Sequence, residues 1–164
     1  MLNKNGNCPE LVNMKTASGL SRAQVVMVLG KVPFFRAFSL AERERLAEEA
    51  ASFLVATEGE TIMKAGELDA SFYILLSGGI EVIADQGKPA IALEPGEVIG
   101  EIGFLAQSVR TRSVVAREAS ILMCIDQSLM KHLRCEMREK IKDELIRRLL
   151  QRVLPEQASD HFSS

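Results

Sequence analysis

Between Phe53 and Ile125 glycine cuts the chain into apolar runs too short to be helices, and this pattern limits the fold more than any other feature. Residues 53–56, 61–64, 72–77, 80–84, 91–93, 112–116 and 120–125 read as β-type runs; Gly59, Gly66, Gly78-Gly79, Gly87, Gly96 and Gly100 separate them. Strands this short and this closely spaced pair antiparallel and close into a sandwich or barrel, here expected as a mainly β jelly roll over residues 52–125. With 47% hydrophobic residues in a chain of 164, there is enough apolar surface for a proper core.

Helical signals flank the roll. Ser21-x-x-Gln24 and Ser39-x-x-Glu42 both have capping-box form, in which a serine hydroxyl and a Gln or Glu side chain satisfy each other's backbone N–H groups. The first predicts a short helix with Val25, Val26, Val28 and Leu29 as its apolar surface and Gly30 as its stop. The second predicts a helix over residues 40–51 on Leu40, Leu46, Ala47 and Ala50, with Glu42, Arg43, Glu44, Arg45, Glu48 and Glu49 as a solvated face. Together they make an N-terminal helical segment, 21–51. Residues 1–20 show no sustained period and are expected to be a mobile or partner-dependent lead. From Asp126 helical periodicity returns over 126–154: Leu129, Met130 and Leu133, then Met137, Ile141, Leu145, Leu149 and Val153 at four-residue steps, with Pro155 as the stop and 155–164 as a tail. The basic residues of this segment are explained by a solvated amphipathic face, and a partner or membrane-surface contact is the alternative.

Charge, cysteine and histidine usage exclude several function classes. A net charge of −2 and a pI near 5.8 argue against wholesale nucleic-acid binding. No apolar run approaches the length of a membrane span, and the polar N-terminus has no signal core, so neither membrane insertion nor secretion is expected. Cys8, Cys124 and Cys135 form no CxxC pair; Cys124 reads as a buried small hydrophobe, and a reducing cytoplasm fits best. His132 and His161 are the only histidines and lie in or beyond the terminal helix, leaving no His/Glu metal set in the roll. No Ser-His-Asp set or dinucleotide glycine fingerprint is evident either, so no enzyme is expected.

The one interruption within the roll is the cassette over residues 98–114. Gly100 and Glu101 open it, a short apolar segment that does not read as strand follows to about Ala106, and Arg110-Thr111-Arg112-Ser113 close it. A carboxylate suits a sugar hydroxyl; an arginine with backbone N–H groups at a helix start suits a singly charged phosphate. Read from residue types alone, that is a plan for a cyclic nucleotide, with a structural Glu101–Arg110 salt bridge as the plain alternative.

The order of motifs resembles the cyclic nucleotide-binding domain shared by cyclic-AMP receptor transcription factors, cyclic-nucleotide-dependent kinase regulators and cyclic-nucleotide-gated channels. Val32-Pro33-Phe34-Phe35 resembles the family's V-P-L-F connector, and Glu58-Gly59-Glu60-Thr61-Ile62 its P-G-E-x-I turn. Ala65-Gly66-Glu67 with Asp69 resembles its E-G-D-x-x-D turn, and Phe72-Tyr73-Ile74-Leu75-Leu76-Ser77-Gly78 its hallmark strand. The resemblance implies an eight-stranded roll with N-terminal helices and a C-terminal helical lid. It implies that Glu101 accepts from the ribose 2′-hydroxyl, that Gly100 lets the backbone turn beneath the sugar, and that the Ile102 and Gly103 N–H groups face ribose or phosphate. Arg110 is the implied phosphate-pairing arginine, with Thr111 adding to it. Ser113 takes a position where cyclic-GMP-selective members often carry a hydroxyl facing the purine. Arg134 and Arg138 are the implied lid contacts.

Two positions depart from the family pattern: Val109 replaces the usual proline, and Arg112 stands where the family nearly always has alanine. A guanidinium there swings to solvent, pairs with a carboxylate, or gives the phosphate a second cation. If it fills the pocket, the roll is a docking or dimerisation platform without ligand. The function implied is a stand-alone regulatory sensor of cyclic AMP or cyclic GMP with no separate cofactor. Its output passes through the C-terminal helix to a protein effector or a second copy.

Overall fold

The computed structural model describes residues 15–16, 19–49 and 52–154. Both capping boxes form. Ser21 Oγ accepts from Gln24 N–H at the start of α1 (Arg22–Lys31), and Ser39 Oγ accepts from Glu42 N–H at the start of α2 (Leu40–Glu48), while Gln24 and Glu42 each reach back to the cap N–H. Gly30 does not stop α1, which runs on to Lys31; the stop comes from Val32, whose extended backbone leads into a 3₁₀ turn at Pro33–Phe35. Helix α2 ends three residues earlier than its pattern predicts, and Leu40, expected inside, is exposed, leaving Leu46 as the buried anchor.

Eight antiparallel strands in two facing sheets form the roll. Among the described residues, β1 (Lys15–Thr16), β2 (Ser52–Ala56), β9 (Ser120–Ile125), β4 (Phe72–Ser77) and β7 (Val98–Ile99) lie side by side in one sheet. The other runs β3 (Thr61–Met63), β8 (Val114–Ala116), β5 (Ile80–Val82), β6 (Ile91–Leu93). The roll proper is β2 to β9. β1 adds at the edge, with Lys15 opposite Val55 and Thr16 opposite Leu54. The remaining residues before Gly19, and the tail 155–164, lie outside the described residues.

Side chains from both sheets fill the space between them: Leu54, Ala56 and Leu122 from one, Ile62, Ile80, Val114 and Ala116 from the other. Burying an aliphatic side chain fully contributes about 1.5–3 kcal/mol, so this set dominates the roll's stability. Cys124 is buried in the same core, as expected. It is not a free thiol, however, but disulfide-bonded; Cys135 is the free and exposed cysteine. An aromatic chain ties the connector to the roll: Phe34 meets Phe72 at 5.7 Å between ring centroids, and Phe72 meets Phe104 edge-on at 4.9 Å.

After β9, Asp126 caps α4 (Gln127–His132) by accepting from Leu129 N–H at 2.8 Å. The chain divides into two compact units after Leu133. The second holds α5 (Cys135–Val153), on which Met137, Ile141 and Leu145 are buried while Ile146, Leu150, Val153 and the following Leu154 are exposed. No helix of the described residues is long and apolar enough to cross a membrane.

Candidate functional site: the cassette after β7

Strand β7 pairs with β4, Ile99 opposite Tyr73, and ends where Gly100 takes a left-handed φ of 84°. The reversal starts α3 (Glu101–Ala106), which, unlike α1 and α2, has no side-chain cap at its N-terminus. Phe104 pins α3 inward against Phe72, while Ile102 points outward. Glu101, at the head of the helix, is buried.

Arg110 is built into the wall behind α3. Its backbone N–H donates to Glu67 O and its carbonyl accepts from Gly66 N–H, both at 2.8 Å, so the loop after α3 is clamped to the 64–67 turn. Its guanidinium, 2% exposed, donates from Nη1 to Gly100 O at 2.7 Å and from Nη2 to Asp69 Oδ2 at 2.7 Å and to the Ser71 carbonyl. A Cβ on Gly100 would lie 2.6 Å from Nη1, and one on Gly103 would lie 2.8 Å from it. Both glycines are therefore required by the guanidinium lying against them. Of the three guanidinium nitrogens, Nη1 and Nη2 are each bonded, and Nε is buried and has no partner.

Asp69 is the counter-ion and is itself held. Its Oδ1 accepts from the Ser71 N–H at 3.0 Å and from the Ser71 hydroxyl, and its Oδ2 accepts from the Tyr73 hydroxyl at 3.3 Å. Burial pushes the Tyr73 hydroxyl's pKa far above the usual phenol range, and the Asp69 carboxylate beside it adds to the shift. A buried ion pair is tolerated when the remaining lone pairs and protons are also satisfied, and the Ser71 and Tyr73 bonds meet that condition on the carboxylate side.

The other sequence-predicted residues fall around this centre. Thr111 is exposed. Arg112 makes an ion pair with Asp85 at 3.7 Å, with side chains 40% and 74% exposed. Ser113 Oγ accepts from Ala65 N–H at 3.0 Å, which commits that hydroxyl to holding β8 against the 64–67 turn. Arg134 and Arg138 lie in the second compact unit; Arg134 caps α5, and its carbonyl accepts from Arg138 N–H. Sequence reasoning missed Ser71 and Tyr73 and took Asp69 only as part of a turn. Their signal was available: in a strand-type run, positions 69, 71 and 73 share one face, and each carries a polar group in an otherwise apolar stretch.

Residues 54–134 match the family described as the cyclic nucleotide-binding domain. Over 106 residues, 65% of the chain, the sequence is 24% identical to a cAMP-dependent protein kinase regulatory subunit of Schizosaccharomyces pombe, 26% of which is covered. Among solved structures, a cyclic nucleotide-binding domain from Methylobacillus flagellatus superposes with a TM-score of 0.70 at 18% identity, covering 92% of this chain and 86% of that one. A cAMP-binding acyltransferase from Mycobacterium smegmatis gives a TM-score of 0.55 at 28% identity, covering 73% and 39%. The chain spans only about a quarter of the length of the curated relatives it matches.

The glycine-walled, arginine-backed cassette of this roll thus belongs to the cyclic nucleotide-binding domain family. Within that family it is similar to the domains of the protein kinase regulatory subunits.

Proposed function

We propose that the cassette binds a cyclic nucleotide, cyclic AMP in preference to cyclic GMP, and that the chain acts as a sensor. The observation that carries this reading is the orphaned Arg110 Nε. It is a buried cationic donor on a guanidinium whose Nη1 and Nη2 are both bonded, and a buried donor without a partner is costly. A phosphodiester oxygen supplies the missing acceptor. Glu101 takes the ribose 2′-hydroxyl, and Gly100, Ile102 and Gly103, at the uncapped start of α3, present backbone to ribose and phosphate; Thr111, Arg112 and Ser113 line the other side. Arg134 and Arg138 close over the purine as α5 moves, and a ligand shifts that helix only by binding the closed state more tightly.

The output surface is the exposed Ile146, Leu150, Val153 and Leu154 stripe of α5, read by a protein effector or a second copy. Sedimentation of the full chain and of Leu150→Lys tests the second copy: a dimer converted to monomer supports it, and a monomeric parent removes it. The regulatory reading favours a non-enzymatic role for this domain, and the disulfide at Cys124 removes the cysteine argument for a reducing cytoplasm.

Calorimetry of the full chain with cyclic AMP, cyclic GMP and, as a control, linear 5′-AMP tests the binding step. Saturable heat with a cyclic nucleotide and none with the linear one is expected. No heat with either cyclic nucleotide at millimolar concentration would remove the reading and leave the roll as a docking module.

A further inference from the structure

We propose that Arg112 and Asp85 form a displaceable latch at the open end of the roll. Arg112 leaves Asp85 to become a second cation on the ligand's phosphodiester, and Asp85, as its competing counter-ion, sets the affinity. The proposal rests on the cyclic-nucleotide reading above and adds to it the residue pair that tunes it.

Placement comes from register. Strands β5 and β8 pair Ile80 with Ala116 and Val82 with Val114, and the Ile83 N–H donates to Ser113 O at 2.9 Å, so the pairing continues one step past the strands' ends. Val114 and Ala116 face the core and are buried. Two residues before Val114, Arg112 lies in the bend that leads into β8, and its side chain is 40% exposed. A half-exposed guanidinium at the foot of a strand whose next residues fill the core lies at the rim of the roll. Asp85, three residues past the end of β5, the strand paired with β8, meets it there.

The pair is built to come apart. At 3.7 Å it is an ion contact beyond hydrogen-bond distance, and Asp85 is 74% exposed, so water and salt screen it. Arg110 and Asp69, by contrast, meet at 2.7 Å in a buried network. Arg110 offers an anion its unpartnered Nε, with Nη1 and Nη2 already bonded to Gly100, Asp69 and Ser71. Its charge is matched by Asp69, and Glu101 beside it adds a further formal negative charge. An anionic ligand entering this cluster meets no net positive charge unless Arg112 supplies it, and a guanidinium forks onto phosphate oxygens in a geometry that suits it better than a distant carboxylate.

The test is calorimetry with cyclic AMP on the full chain, on Asp85→Asn, on Arg112→Ala and on the double variant. Both side chains are exposed enough that each variant should keep the parent's far-UV circular dichroism. Arg112→Ala is expected to weaken binding about tenfold, the low end for a lost charge-assisted contact. Asp85→Asn is expected to tighten binding several-fold and to flatten its salt dependence, and to have no effect once Arg112 is alanine. Equal effects of Asp85→Asn in both backgrounds would reduce Asp85 to a long-range charge and overturn the latch. A silent parent with a binding Arg112→Ala variant would show that the guanidinium fills the seat, overturning the latch while keeping the cassette reading. Silence from all four proteins would overturn both.

Discussion

Arg110 and Arg112 stand two residues apart in one loop and are held in opposite ways. Arg110 is sealed against two glycines, neutralised by a carboxylate that is itself held by Ser71 and Tyr73, and keeps its Nε unpaired. Arg112 sits half in water with a loose and exposed partner. The difference separates two tasks that a phosphate site needs. One cation must be in place before the ligand arrives, because ordering it at the moment of binding would cost affinity. The other can be mobile and adjustable.

Removing Arg110 should break this contrast most severely. Arg110→Ala abolishes cyclic-nucleotide binding, but it also strands Asp69 as a buried carboxylate without its counter-ion, a loss of about 3–5 kcal/mol of stability readable by urea denaturation. Arg110→Lys keeps the charge and loses the fork, and should weaken binding by one to two decades while staying folded, which makes it the cleaner variant. Gly100→Ala comes next. It puts a Cβ 2.6 Å from Arg110 Nη1 at a left-handed backbone position, with a cost of about 1–3 kcal/mol and a displaced guanidinium. Urea midpoints together with calorimetry read both effects.

Tyr73 gives a milder and more specific probe. It is the only tyrosine, and the chain has no tryptophan, so absorbance near 295 nm follows this one hydroxyl. Its folded pKa lies above the unfolded value of about 10. The stability linked to the neutral hydroxyl is therefore fully present below about pH 10 and is lost as pH rises further, because the unfolded chain ionises first. Ionisation should coincide with alkaline unfolding instead of preceding it, and Tyr73→Phe should remove that pH dependence; a titration near pH 10 in the folded protein would place Tyr73 outside the network. The smallest effect belongs to Arg112→Ala, which should change stability by about 0–1 kcal/mol, as exposed ion pairs do. A larger loss would mean that Arg112 is as structural as Arg110.

What the sequence made legible follows from range. Capping boxes and glycine-ended strands are written in neighbouring residues, and they formed where the pattern put them. Gly30 was misjudged because a helical stop needs the following backbone to turn away, and Val32 and Pro33 do that instead. The centre of the site was only half legible. Arg110 and Glu101 announce themselves by type, but the partner of Arg110 lies 41 positions away in sequence, and nothing local says that Asp69 and Arg110 meet. The polar alternation at 69, 71 and 73 was the available hint, masked by the turn motif that overlaps it. The pairing of Lys15–Thr16 with β2 and the bonding state of Cys124 depend on chain reversals that local pattern does not encode.

The central claim is that Arg110 Nε is kept for a phosphate. A crystal structure of the full chain grown with cyclic AMP tests it most directly. The account predicts a phosphate oxygen within hydrogen-bond distance of Nε, the ribose 2′-hydroxyl on Glu101, and the Arg110–Asp69 contact unchanged. A nucleotide bound elsewhere, with Nε still unpaired, would contradict it.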